Sequence, residues 1–430
     1  MNDIDTIIIG AGIGGLSAGA LLAVKGDHRV LILEKLPFIG GRCSSLVHNG
    51  YTMTTGAVVI EAGGALQQVF EELGLSFNLR IPDPQLKYLI KGRQLELPKK
   101  NAFQYLLSEA SINPDEAEQV LKGFRETTEL QPPDLSVSAW LDEWTKDPGV
   151  RGIFRALCGG ILSLSLEDAR AAELIRLIRA RSFRRFGWPP GGNAQLAEAL
   201  VGVIEQRGGQ VLTNAKVTDI LVHEGRVQGV EWFKDGKGEK ASCTYVISNV
   251  GIRNTVELAG REWFTPEEIS NIEQVKASYT LNIEIFSDRP LIEFPGILWL
   301  PMARKAAFAA CPTLICPEWA PEGKHMTIIL GPPSCSEEPL DGRKEFEPLL
   351  EDAREFLPDF DEKTDEWITR SFRKDWPGFR ARPGHGLGPI TPVDGLFNVG
   401  DSVNPPAVYG VGGAVESARD VAKRIISSSS

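Results

Sequence analysis

The chain has 430 residues, 42% of them apolar, which is enough for a large core and excludes wholesale disorder. At ~150 residues per domain, this length allows two or three domains. Its 46 Lys and Arg against 57 Asp and Glu give a net charge of −11, which argues against a nucleic-acid partner because nothing broadly basic is available to neutralise phosphates.

In chain order, Asp5–Ile9 reads as a short buried strand ending in glycine, Leu16–Lys25 as a helix, and Arg29–Leu33 as a second strand ending at Glu34. Together they form a βαβ unit of ~30 residues. Ile7–Val24 carries no charge, but Asp3 and Asp5 precede it and glycines interrupt it. It reads as part of a globular, cytoplasmic chain and not as a targeting or membrane segment. Leu66–Leu73 predicts a helix closed by Gly74, and Leu89–Leu97 a hairpin around Gly92. Helices follow near 101–110, 114–129, 137–146 and 166–185, with another over Asn193–Gln206. Lys216–His223, Arg226–Phe233 and Cys243–Ser248 alternate like a meander with turns at 225 and 236–238. Leu281–Phe286, Ile297–Leu300 and Met326–Leu330 read as strands, and Glu345–Phe356 as a helix. Gly395–Ile426 reads as strand, loop, helix, followed by a disordered serine tail.

Glycine is 44 of the 430 residues, about 10% against a usual ~7%, and such an excess points to backbone brought close to a ligand. Gly10-Ala11-Gly12-Ile13-Gly14-Gly15 fits G-x-G-x-x-G between a strand and a helix. Gly10 makes the turn, Gly12 admits a pyrophosphate, and Gly15 lets the helix pack on the strand, with the helix N-terminus facing the phosphates. Glu34, with Lys35 beside it, stands ~20 residues on, where an acid accepts from a ribose hydroxyl. This favours an unphosphorylated ribose, as in FAD or NAD. The six cysteines are scattered without a CxxC pair, and there are only five histidines. No metal site or redox dithiol is expected, and a reducing compartment is the simpler reading.

Gly40-Gly41-Arg42-Cys43-Ser44-Ser45, directly after the second strand, resembles the GG-R-x-x-S/T motif of the flavin amine oxidase and phytoene desaturase superfamily. It supplies a second close backbone approach and a guanidinium able to bind a pyrophosphate bidentately. Trp188-Pro189-Pro190-Gly191-Gly192 looks like the aromatic-Pro-x-GG segment of the desaturases, and Asn214–Val217 like the strand whose valine backbone contacts adenine. Asp394–Asp401 followed by Gly410-Val411-Gly412-Gly413-Ala414 is similar to the C-terminal signature, in which Asp401 accepts from a ribityl hydroxyl and a helix points its positive end at the flavin. Thr54-Thr55-Gly56-Ala57 departs from the relatives, which often carry an acid before the Gly-Ala.

The resemblance implies non-covalent FAD held by Gly10, Gly12, Gly14, Gly15, Glu34, Lys35, Gly41, Arg42, Gly56, Ala57, Val217, Gly400, Asp401, Gly412, Gly413 and Ala414. It implies an α/β (overall α+β) fold: a Rossmann-like FAD-binding domain of 1–78, 187–252 and 385–430, into which 79–186 and 253–384 insert a mixed sheet-plus-helices substrate domain. No second G-x-G-x-x-G marks a nicotinamide domain. The expected activity is that of a dehydrogenase or desaturase. It takes a hydride from a C–H bond of a small, apolar or carboxylate-bearing organic substrate, and an external acceptor such as oxygen or a quinone reoxidises the flavin. A redox-neutral isomerase using reduced FAD, an amine oxidase and a non-catalytic FAD-binding protein stand as alternatives. Tyr409 is the candidate for the flavin face. The helix bearing Arg170, Arg176, Arg179, Arg181, Arg184 and Arg185 reads as a solvated face, a peripheral membrane patch, or an anionic-substrate site with Arg184 and Arg185 as anchors.

Overall fold

A computed structural model describes residues 4–127, 135–180, 185–373, 376–403 and 408–428. A five-stranded, fully parallel sheet runs in the order Leu396–Asn398, Tyr245–Ser248, Thr6–Ile9, Val30–Leu33, Gln210–Leu212. Its strands are short apolar runs because both faces are covered. Ile8, Ile32 and Ile247 face the helices Ile13–Lys25, Ala65–Glu72, Ala194–Gln206 and Gly410–Ser428. Ile7, Leu31 and Val246 face an antiparallel sheet of Lys216–His223, Arg226–Lys234 and Lys237–Ser242.

The second layer system is a seven-stranded sheet in the order Thr364–Phe372, Thr280–Ser287, His325–Gly331, Phe308–Ala310, Ile297–Trp299, Leu86–Ile90, Arg93–Leu95. Leu281, Ile283 and Ile285 pack on the helix Gly342–Phe356. The opposite face, with Ile297, Trp299, Phe308 and Leu330, looks into a cluster built with the helices Ala102–Ala110, Pro114–Glu126, Val137–Asp142, Pro148–Leu157 and Ala171–Ala180. Among the described residues no helix is long and apolar enough to cross a membrane.

Several expectations need correction. The helix expected over 166–185 spans only Ala171–Ala180 among the described residues. The third strand of the antiparallel sheet is Lys237–Ser242, where a turn is expected, while Tyr245–Ser248 returns to the parallel sheet. The last helix runs through Ser427 to Ser428, well into the serine tail. Pro148–Leu157 and the π-helical turn Cys158–Leu162 have no sequence-based counterpart, because Gly149, Gly152, Gly159 and Gly160 lower helix propensity. These glycines serve packing. A Cβ at Gly149 would lie 1.9 Å from the Ala110 carbonyl oxygen, and one at Gly152 2.2 Å from that of Pro301.

Candidate cofactor and substrate site

The glycine turn after Thr6–Ile9 places Gly12 at the start of the helix Ile13–Lys25, and no side chain caps that end. Its open N–H groups border a cavity lined by Gly10, Gly12, Ile13 and Gly14. Gly15 is absent from this wall and packs inward, since a Cβ there would stand 2.3 Å from the Gly10 carbonyl oxygen. Glu34 ends the second strand and is buried. Its Oε2 accepts the Ala11 N–H and its Oε1 the Leu36 N–H, both at 2.8 Å. Burial raises its pKa, and the backbone hydrogen bonds work against that shift. The carboxylate thus ties the glycine turn to the strand while still lining the cavity beside Lys35.

The second glycine pair comes in alongside. The Gly40 N–H donates to Ala11 O at 2.7 Å, and a Cβ on Gly41 would meet the Gly12 Cα at 3.3 Å. Arg42 donates from Nε to the Gly378 carbonyl at 2.6 Å, joining the first segment to a loop over three hundred positions later. Gly56 and Ala57 line the same wall, and the Ala57 N–H donates to Arg42 O at 2.8 Å. Val217, buried on its strand, lies in the wall with Ala215 and Lys216. Cys43 is buried there, its thiol pushed up to about 12 by burial.

The C-terminal segment closes the cleft. Asp401 accepts the Gly410 N–H at 3.0 Å through Oδ1, and its Oδ2 lies 3.1 Å from Arg380 Nε. Gly400, Gly412 and Ala414 line the cavity; Gly413 is buried within the helix packing and does not. Tyr409 is buried in the wall and donates its hydroxyl to Glu173 on the helix Ala171–Ala180. Arg184 lies outside the described residues. Arg185 is exposed and stands outside the cavity wall, its carbonyl accepting the Ala62 N–H. Arg181 also lies outside the described residues; Arg176 pairs with Glu173, and Arg179 donates to the Phe124 carbonyl at 2.6 Å.

Asn249 and Arg380 are wall residues to which sequence reasoning gives no role. Asn249 follows the strand Tyr245–Ser248 and donates from Nδ2 to Gly10 O at 3.3 Å. Cβ atoms at Gly12 and Gly400 would come within 2.7 and 2.4 Å of its carboxamide. Its signal is its place at the carboxyl end of a parallel strand, where ligands bind in open α/β sheets. Arg380 lies in a loop and carries no local signal.

The cavity holds about 930 Å³ and continues from this polar cleft into a chamber walled by Leu97, Phe103, Ile161, Leu177, Trp299 and Phe308. The two ends differ in chemistry. One offers glycine backbone, an uncapped helix start, a carboxylate at Glu34 and a guanidinium at Arg42. The other offers aromatic and aliphatic side chains. The polar end fits a dinucleotide, since Gly10, Gly12 and Gly41 line it with bare backbone that a pyrophosphate can approach closely.

Comparison with known proteins agrees. The sequence pattern of the flavin containing amine oxidoreductases matches residues 13–426. The structure of an oxidoreductase from Methanosarcina mazei superposes with a TM-score of 0.85 over 98% of this chain and 100% of that one, at 27% identity. Prolycopene isomerase 2 of an Oncidium hybrid cultivar is 26% identical over 93% of this chain and 80% of its own length. Phytoene desaturase of Cercospora nicotianae is 26% identical over 56% of this chain and 44% of its own. The chain belongs to the flavin containing amine oxidoreductase family, and it is an FAD-dependent oxidoreductase of the phytoene desaturase and amine oxidase type.

Proposed function

We propose that the protein is a dehydrogenase or desaturase that takes a hydride from a C–H bond of a largely apolar organic substrate. The supporting observation is the chamber: apolar and aromatic, and continuous with the cofactor cleft. Hydride transfer needs a water-poor pocket that holds the C–H bond against an acceptor. Bound FAD supplies that two-electron acceptor. Trp299, Phe308 and Leu177 exclude water and hold an apolar chain, and Glu34, Arg42 and Asp401 fix the cofactor's polar half. When a hydride leaves one carbon and a double bond forms, its neighbour loses a proton. Tyr409, which lines the cavity and donates to Glu173, gives that proton a route out of the chamber. Oxygen, a quinone or another external acceptor completes the cycle.

A second reading, a redox-neutral isomerase that works with reduced FAD, draws support from the prolycopene isomerase match over 93% of this chain. One anaerobic experiment separates the two. The FAD-loaded protein is mixed with a panel of polyenes, saturated apolar compounds and amines. Bleaching of the flavin by an apolar compound, with a new double bond in the product, supports the dehydrogenase. Turnover only after chemical reduction, with no net redox change, supports the isomerase, and bleaching by amines alone overturns both.

A further inference from the structure

Arg380 is a buried charged side chain that the proposed reaction leaves without a task, and it sits beside Asp401 in the cavity wall. It is nine-tenths buried and lines the cavity. Its Nε lies 3.1 Å from Asp401, its Nη1 donates to Ser163 Oγ at 2.7 Å, and its Nη2 reaches the Ile161 carbonyl at 3.5 Å. A guanidinium has five N–H groups, so one hydrogen on each Nη nitrogen has no acceptor among the described residues. Ser163 is equally unusual. It is buried, lines the cavity, and follows the π-helical turn Cys158–Leu162 with φ +57°, a left-handed conformation uncommon for serine. Its oxygen is occupied by Arg380, which leaves the hydroxyl hydrogen to donate.

We propose that Arg380 and Ser163 form a donor pair that recognises one neutral hydrogen-bond acceptor, a carbonyl oxygen, on an otherwise apolar substrate. The inference rests on the chamber being the substrate's. A hydrocarbon placed there would leave buried N–H and O–H groups unpaired, which is costly in a water-poor site. A carboxylate fits less well, because Asp401 already neutralises the guanidinium and a second anion would add uncompensated charge beside it. A carbonyl oxygen accepts two hydrogen bonds and carries no net charge, matching a pair of donors whose charge is spent. Ser163 and Ile161 belong to the helical insert and line the cavity beside Leu157, in the cluster that walls the chamber, so the pair addresses the substrate.

Three matched probes test this without turnover: benzylacetone, butylbenzene and phenylbutyrate, titrated into FAD-loaded protein and followed by the perturbation of the flavin spectrum. Benzylacetone is expected to bind about tenfold more tightly than either of the others, with its C=O stretching band shifted to lower frequency on binding. Arg380→Met and Ser163→Ala should each erase both the preference and the shift, and Ser163→Ala keeps the test available if the arginine variant fails to fold. Equal binding of benzylacetone and butylbenzene, or tightest binding of phenylbutyrate, overturns the proposal. So does a Ser163→Ala protein that keeps the preference, or one whose main loss is affinity for FAD, which would turn the donors toward the cofactor. Flavin reduction is not read in these titrations, so their failure is distinct from failure of the dehydrogenase reading.

Discussion

At the scale of single residues, the cofactor cleft is a set of missing side chains gathered around one carboxamide. Asn249 touches the space that side chains at Gly12, Gly14 and Gly400 would fill. Gly12→Val should therefore both push on Asn249 and occupy the cleft. The variant is expected to purify folded by circular dichroism yet lose FAD on gel filtration, whereas retention of flavin at the wild-type ratio would remove Gly12 from the site. The glycines were readable because a turn between strand and helix is local chemistry. Asn249 and Arg380 were not, because each acquires its role only when distant segments converge. A second residue-scale expectation concerns Glu284, fully buried in the large sheet with its carboxyl 3.1 Å from Arg370 and beside Asn282. Burial outweighs the arginine and raises its pKa from 4.5 to about 7. A raised carboxyl favours the protonated folded state, so this contribution to stability is complete below 4.5 and is lost as pH climbs through about 7. Melting temperatures measured between about pH 5 and about pH 8 should fall with rising pH, and Glu284→Gln should flatten that fall.

At the scale of elements, the helix Ile13–Lys25 is held between the parallel sheet and two other helices by its small residues. A Cβ at Gly19 would meet Ile32 Cδ1 at 2.9 Å and Ile204 Cδ1 at 3.3 Å. Gly19→Val should overpack this interface and cost about 1–3 kcal/mol, read as a lower denaturation midpoint with an unchanged m-value. An unaltered midpoint would mean that the layer has slack the distances do not suggest. The elements that sequence reading found were those with a clear apolar run, such as Thr6–Ile9 and Val30–Leu33, or a clear alternation, such as Lys216–His223. It missed Pro148–Leu157, where glycines required for close packing imitate a loop. It also missed Thr364–Phe372, whose mostly half-buried and exposed residues give an edge strand little apolar signal. In both cases tertiary contact overrides local propensity.

At the scale of the molecule, two sheets meet around one continuous cavity. Under the proposed reaction the organic substrate supplies the electrons through that cavity, and the G-x-G-x-x-G turn serves FAD, not a nicotinamide. In anaerobic stopped flow, NADH and NADPH are expected to bleach the flavin far more slowly than the organic substrate. Saturable, rapid reduction by NADPH would refute this scheme. Ligand linkage gives a further check. FAD bound at a hundred times its Kd should stabilise the fold by about 2.7 kcal/mol, visible as a melting temperature that climbs with added FAD. The cofactor half was largely legible from motifs. The chamber was not, since it is built from Leu97 in a loop, Leu177 on a helix and Trp299 on a strand, residues with no shared motif.

Leu396–Asn398 forms one edge of the parallel sheet, and the helix Gly410–Ser428 packs along Ile13–Lys25, so residues 6–33 and 396–428 complete one structure. A ribosome delivers these parts more than three hundred and fifty residues apart. Until residues 396–428 emerge, the growing polypeptide carries an apolar helix without its neighbour and a flavin cradle without its closing wall, and long-range pairing of this kind is slow and exposed to aggregation. Flavin loading is therefore expected only once residues 396–428 have been made. Chains arrested after Gly395 on stalled ribosomes should retain no flavin, while those that include the helix Gly410–Ser428 should take it up.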